Sequence, residues 1–322
     1  MAKSACLELV EFIPASFIMS CLRLVPLRWA TRSGAAFGRL VWRLAPSQRR
    51  TAYSGLDLAY GDGMPVSEKK RIAKASFESM GKTIFEFMQF PKLSREAILA
   101  RVRFVNLEAM DRALAQGRGV IAATAHLSNW EFFAAAFAAT GRPLAAIVRP
   151  LDNRRLDRHV ENLRSSKGVE VVPRGVALRL GLTALKKGKV LAFLMDQNAA
   201  RHGVFVPFFG KPAATVSGPA ALALRLDVPI IFCYSRREDD GLFSLIFESV
   251  EPVRDRGDEE RNIIATTALL TACIERAIRD RPEQWLWMHP RWRTGPEDAC
   301  DAVSRRSAEL GGWIQIRREE NE

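Results

Sequence analysis

The chain has 322 residues and is 48% hydrophobic, enough for a packed core and against disorder as the default. With 48 Lys and Arg against 36 Asp and Glu it carries a formal net charge of +12, which points to an anionic partner: nucleic acid, anionic lipid headgroups, or an acidic protein or substrate. Cys6, Cys21, Cys233, Cys273 and Cys300 are widely spaced, with no CxxC pair. That excludes zinc ribbons and thioredoxin-type redox sites and fits buried thiols in a reducing compartment.

In chain order, Phe12 to Leu22 is apolar but interrupted by Pro14, with Glu8 and Glu11 before it and Arg23 after it. This run is about half of the ~20 residues that span a bilayer, and without a basic n-region a cleaved signal peptide is not expected. Beyond it, Leu24, Leu27, Trp29, Phe37, Leu40, Val41 and Trp42 alternate with Arg23, Arg28, Arg32, Arg39 and Arg43. Apolar and aromatic residues mixed with arginine at helical spacing mark an interfacial membrane helix; the alternative is a helical hairpin packed on the domain. We therefore divide the chain into N-terminal membrane-associating helices (1–50), a catalytic domain (51–294) and a basic C-terminal tail (295–322), the last read as a surface appendage.

From Leu107 the pattern becomes regular. Helices are expected over Leu107–Gln116, Ser128–Ala139, Arg154–Lys167, Val176–Lys187, Ser217–Leu226 and Glu260–Arg279. Strands are expected over Val120–Thr124, Leu144–Val148, Val169–Val172, Val190–Met195, Pro229–Tyr234 and Leu242–Phe247. Apolar strands alternating with helices predict an α/β fold with a mainly parallel central sheet flanked by helices. Ligands bind beyond the carboxyl ends of such strands. There the sequence places His126, Arg149, and Asp196 with Gln197, so three separate strands deliver an imidazole, a guanidinium and a carboxylate to one sheet edge.

Ser128-Asn129-Trp130-Glu131 fits an S-x-x-E capping box with Ser128 as N-cap, which needs no chemistry. Glu131 is equally placed to orient the His126 imidazole, and Asp196 competes for that role. The sequence does not rank them. Gly117-Arg118-Gly119 precedes a strand instead of following one, which rules out a dinucleotide fingerprint. There is no GxSxG elbow and no P-loop, and the histidines lack HExxH spacing, so neither a metal nor a cofactor is expected. The aromatics make no RNA-recognition or zinc-finger pattern, and nucleic acid is not the expected partner.

His126-Leu127-Ser128-Asn129-Trp130-Glu131 resembles the H-x4-D/E motif of the glycerolipid acyltransferase superfamily. The Asn-Trp-Glu form is similar to the branch of lipid A late acyltransferases (lauroyl and myristoyl transferases) and their glycolipid-acylating relatives. Arg149-Pro150-Leu151-Asp152-Asn153, Asp196-Gln197-Asn198, Gly203 to Gly210, and Pro282 to Trp292 resemble further blocks of that branch, in the same order. No P-E-G-T phosphate block is present, which disfavours glycerol 3-phosphate or lysophosphatidate as acceptor.

The resemblance implies a glycerolipid-acyltransferase-like fold and direct acyl transfer from an acyl thioester, on acyl carrier protein or coenzyme A, to a hydroxyl of a lipid A precursor. His126 would be the general base, with Glu131 or Asp196 steadying the imidazolium and the amides opening the Ser128 helix receiving the oxyanion. Arg149, Asn129, Trp130, Asn153, Gln197 and Arg291 would bind substrate. Arg149 would meet a phosphate, or else pair with Asp196 or Asp152; Trp130 would shape the pocket, or belong to the core; Arg291 would touch an anionic headgroup. The implied location is the cytoplasmic face of the inner membrane, peripheral or monotopic. Two other readings stay open: the same chemistry on another glycolipid or an amino-acid lipid, and a non-catalytic basic membrane-surface or nucleic-acid binder.

Overall fold

The computed structural model describes residues 5–254 and 257–309. Five helices come first: α1 (Ala5–Leu22), α2 (Leu27–Leu44), α3 (Pro46–Tyr60), α4 (Val66–Met88) and α5 (Arg95–Leu99). The sheet region follows as β1 (Val102–Val105), α6 (Leu107–Leu114), β2 (Val120–Thr124), α7 (Trp130–Ala139), β3 (Leu144–Val148), α8 (Arg154–Ser165), β4 (Val169–Pro173), α9 (Ala177–Lys186) and β5 (Val190–Leu194). A hairpin of β6 (Val204–Phe208) and β7 (Lys211–Thr215) leads to α10 (Gly218–Leu226), β8 (Ile230–Arg237), β9 (Phe243–Val250), α11 (Glu259–Asp280) and α12 (Ala302–Glu309).

Seven strands form one sheet in the order β1-β9-β8-β2-β5-β3-β4. β8, β2, β5, β3 and β4 run parallel, while β9 is antiparallel to β8 and carries β1 parallel to itself at the edge. The fold is thus α/β with a mostly parallel sheet flanked by helices. Strand residues alternate between two cores, as the period-2 pleat requires. Ile121, Ala123, Leu191 and Ile230 join Leu185, Ala223, Leu270 and Ile274 on one face. Val120, Ala122, Val190 and Ile231 join Ala109, Met110, Phe132, Phe137 and Leu163 on the other. Both faces are covered, which is why these strands read as unbroken apolar runs.

Among the features not anticipated from sequence are helices α4, α5 and α12, strand β1 and the β6–β7 hairpin. β1 is four residues alternating between half-buried and exposed, too short for its pattern to stand out. The hairpin turns at Phe209 and Gly210, both at positive φ (52° and 72°); a two-residue turn of this hand matches the strand twist. The segment beyond Thr294 is docked over the part described. Ser307 Oγ accepts from the Phe205 amide at 2.9 Å, and Arg306 pairs with Asp258 and Glu260. Arg305 donates to the Cys300 carbonyl at 2.8 Å. Arg317 and Arg318 lie outside the described residues.

No described helix is long and apolar enough to cross a membrane. α1 nonetheless exposes Val10, Ile13, Phe17 and Ile18, and α2 exposes Trp29, Phe37, Leu40 and Leu44. The opposite side of α2 packs on α4 through glycines. A Cβ at Gly34 would stand 2.5 Å from the Gly81 carbonyl oxygen, and one at Gly81 would stand 2.1 Å from that of Gly34. Backbone meets backbone there, so neither neighbour can rotate away. Gly81→Ala is therefore expected to lower stability by about 1–3 kcal/mol, the usual cost of overpacking. Denaturant unfolding checks this; an unshifted midpoint would mean the helices slide apart at no cost.

Candidate active site

β2 and β5 are adjacent, parallel and in register, with Thr124 opposite Leu194. Two residues further along each strand come His126 and Asp196, which this register sets side by side. Asp196 Oδ1 lies 2.8 Å from His126 Nδ1, and Asp196 Oδ2 accepts the His126 backbone N–H at 2.9 Å. Trp285 Nε1 donates to the same Oδ2 at 2.8 Å. Asp196 is 2% exposed. Burial pushes its carboxyl pKa up, but His126 and the donated hydrogen bonds outweigh this and hold it below the usual carboxylate value. Asp196 is thus a buried acceptor that fixes the imidazole with Nδ1–H toward the protein and Nε2 outward. Beside Nε2, at 3.4 Å, is the Gln197 side-chain amide. The Trp130 ring meets the imidazole edge-on, centroids 4.8 Å apart.

The segment after His126 is pinned on every side. Leu127 bridges to Trp285, the Ser128 amide donates to Gln284 O at 2.8 Å, and Thr83 Oγ1 donates to Ser128 O at 2.9 Å. Ser128 takes φ +56°, a left-handed conformation rare for a non-glycine residue. The chain turns there, so the cap of α7 falls on Asn129 instead of Ser128. Asn129 Oδ1 accepts from Phe132 N at 2.8 Å, and its Nδ2 donates to Glu86 at 2.7 Å. Glu86, buried in α4, also receives Arg237 at 2.6 Å and Thr31 at 2.8 Å. Glu86 and Arg237 come from remote elements and carry no local sequence signal, so both escaped sequence reasoning; Trp285 lies within the Pro282–Trp292 block but was given no role.

The geometry sets the other expected site residues apart from His126. Glu131 makes no hydrogen bond to His126. It is the second residue of α7, and both its oxygens are held by the Arg164 fork at 2.5 and 3.0 Å. Around the start of α7, Ser128 N donates to Gln284 O, Asn129 N to Ser235 Oγ and Phe132 N to Asn129 Oδ1. Arg149 reaches the sheet edge but is 78% exposed, 3.9 Å from Asp152 and not paired with Asp196. Asn153 caps α8 and donates to Glu8 O and Glu11 Oε2, both at 2.9 Å. Arg291 is 1% exposed and donates to Ala214 O and Thr215 Oγ1, each at 2.5 Å, away from the surface where a headgroup contact was expected. Burial depresses its pKa to about 10.

One feature was legible and went unread. Ala122 pairs with Ala192, and Ala192 with Ala146, across β2, β5 and β3. Three small side chains in a row leave a trough beneath α7. It is an apolar cavity walled by Thr124, Val148, Leu194, Phe133 and Phe137, with Trp130 and the Glu131–Arg164 pair also in its lining. Trp130 also lines a narrow cleft on the other side with His126, Ser128, Gln284 and Trp285.

The model of the family described as bacterial lipid A biosynthesis acyltransferase matches residues 7–294. The chain belongs to this family. It is similar to the lipid A biosynthesis lauroyltransferase of Escherichia coli (strain K12), 28% identical over 271 residues, 83% of this chain and 86% of that one. It is 25% identical over 265 residues to the palmitoleoyltransferase of the same organism (82% and 84% of the two chains). It is also 25% identical over 234 residues to a phosphatidylinositol mannoside acyltransferase of Mycobacterium tuberculosis (strain ATCC 25618 / H37Rv), 71% and 72% of the two chains. In this member of the family the H-x4-E histidine and the strand-end aspartate form the hydrogen-bonded pair.

His289 adds a pH dependence behind the site. Its Nε2 accepts the Asn198 amide at 2.8 Å, and burial pushes its pKa from 6.5 down to about 4. The unfolded chain therefore binds this proton more readily than the folded one. The stabilisation is complete above pH 6.5 and is lost as pH falls toward 4. Asp196, also depressed, loses its share at lower pH. His289→Gln, which keeps an acceptor without a proton to gain, is expected to flatten the fall of the unfolding midpoint between pH 6.5 and 4. An unchanged slope would place the titration elsewhere.

Proposed function

We propose that this protein transfers a fatty acyl chain from an acyl thioester to a hydroxyl of a lipid A precursor, with His126 as general base and Asp196 as the residue that orients it. The observation that carries this reading is the Asp196 carboxylate on His126 Nδ1, which leaves Nε2 as a lone-pair acceptor facing the cleft. Nε2 removes the proton of the acceptor hydroxyl as its oxygen attacks the thioester carbonyl. A C–O bond forms, the C–S bond breaks, and the imidazolium returns the proton to the departing thiolate. The buried negative charge of Asp196 stabilises the imidazolium in between. The Gln197 amide, beside Nε2, is the donor best placed for the developing oxyanion.

In this reading the alanine trough under α7 holds the acyl chain, and Trp130 divides it from the acceptor cleft. Glu131, paired with Arg164, maintains the trough wall and acts through structure. Arg149, exposed at the catalytic edge, attracts a phosphate of donor or acceptor. Acyl carrier protein and coenzyme A are both anionic and both suit a chain of net charge +12. The apolar faces of α1 and α2, flanked by Arg28, Arg32, Arg39 and Arg43, seat the enzyme on an anionic leaflet, at the cytoplasmic face of the inner membrane. The mannoside-acylating relatives make a phosphatidylinositol mannoside the second acceptor to try.

The test is to incubate membranes carrying the protein with a tetra-acylated lipid A precursor and mixed acyl carrier protein or coenzyme A thioesters, and to read products by mass spectrometry. A gain of one acyl chain is expected. His126→Ala and Asp196→Asn should each reduce the rate by about 10²–10⁴-fold. A gain that survives His126→Ala would overturn the mechanism; no gain except with the mannoside would move the acceptor. Ala192→Phe, which fills the trough, should shift the accepted chain to shorter lengths. The purified chain should co-sediment with anionic vesicles, and Trp29→Glu with Phe37→Glu should weaken that binding; unchanged sedimentation would remove α2 from the membrane contact.

A further inference from the structure

A second cluster of reactive side chains stands apart from His126. After Asp196 and Gln197 the chain makes a helical turn at Ala200–His202 before entering β6. Cys300 and Asp301, just ahead of α12, lie against this turn. His202 Nδ1 is 3.2 Å from Asp301 Oδ2 and 3.4 Å from Cys300 Sγ. One donor atom from each residue lies within 4.8 Å of the others, and His202 is exposed. The family match ends at residue 294, so Cys300 and Asp301 lie outside it.

We propose that His202, Cys300 and Asp301 form a zinc-type divalent metal site. Zinc binds imidazole nitrogen at about 2.0–2.1 Å, carboxylate oxygen at about 2.0–2.2 Å and thiolate at about 2.3 Å. Tetrahedral angles then set the N···S edge near ~3.6 Å and the N···O edge near ~3.4 Å. The distances found are each about 0.2 Å shorter, a shift that small side-chain rotations supply. The supports are already in place. Asp301 Oδ1 is occupied by the Ser304 amide at 2.8 Å, which leaves Oδ2 to face the histidine. The Cys300 carbonyl is held by Arg305 at 2.8 Å. Thiolate, carboxylate and neutral imidazole together carry two negative charges, which neutralise a divalent ion. On binding, Cys300 releases its thiol proton to solvent, and the exposed side leaves the fourth position to water. The ion would clamp the turn that follows the catalytic strand β5 to the N-terminus of α12.

The full-length chain, stripped with a chelator, would be titrated with zinc against a chromophoric competitor and separately with cobalt. One equivalent of each is expected, the cobalt complex showing a thiolate-to-metal charge-transfer band. Cys300→Ser should remove that band. Cys300→Ser and His202→Ala should each weaken zinc by at least about tenfold, the loss seen even for groups that only support a ligand. Zinc should raise the melting temperature of the wild type and not of the variants. Both positions reach the surface, so the metal-free variants should melt with the wild type, and that comparison guards against misfolding. Absence of binding, or wild-type affinity in both variants, overturns the proposal; the second result would move the metal to another thiol such as the exposed Cys21.

Discussion

Asp196 is a carboxylate with almost no contact with water, and such a group persists only when its oxygens are satisfied. Its three donors come from two places: the backbone and ring of His126, and the indole of Trp285. The first requires β2 and β5 to be neighbours in register. The second requires the segment after α11 to fold back over the sheet edge, where Trp285 bridges to Leu127 and Trp287 is fully buried. The His126–Asp196 pair is therefore a junction between the sheet and the closing segment. Arg291 extends the same logic: its guanidinium ties that segment to β7 through Ala214 and Thr215. A charge so deeply placed stiffens the frame behind His126.

The sheet was readable because both its faces are buried, so each strand is an apolar run with abrupt ends. Strand order was not readable. β2 and β3 are successive in sequence, yet β5 lies between them. Only that insertion brings Asp196 to His126, and no local pattern encodes it. This is why Glu131, five residues from His126, and Asp196, seventy residues away, were equal contenders. Proximity along the chain misled a second time at Ser128: the spacing fits a capping box, but the backbone there turns left-handed and passes the cap to Asn129. The burial of Arg291 was not readable, because sequence reports a charge without reporting its burial. The alanine row was visible in three strands but acquires meaning only once their register is known.

The two carboxylates of the site have separate environments and hence separate work. Asp196 faces a histidine and two neutral N–H donors, so its negative charge is available to an imidazolium. Glu131 is neutralised by a bidentate guanidinium, the strongest common pairing for a carboxylate. Its charge is spent on Arg164. Because that pair sits in the lining of an otherwise apolar trough, removing either member would leave an uncompensated charge facing hydrocarbon. A motif acid paired with Arg164 and a strand-end acid paired with His126 are compatible with one H-x4-E sequence.

The link between the proposed membrane face and the catalytic edge is Asn153. It lies four residues beyond Arg149, in the loop leaving β3, and its amide fastens that loop to Glu8 and Glu11 of α1. α1 is the helix that turns Val10, Ile13, Phe17 and Ile18 outward. A lipid bilayer engaging those side chains would hold the Arg149 loop at the headgroup level through two hydrogen bonds. The trough beneath α7 would then lie just behind that loop, between the β3 and β5 alanines. Substrates with anionic heads and apolar tails need both environments a few residues apart. Arg149 to Asn153 would supply the joint under the proposed function, arginine for the head and asparagine tying the loop to α1.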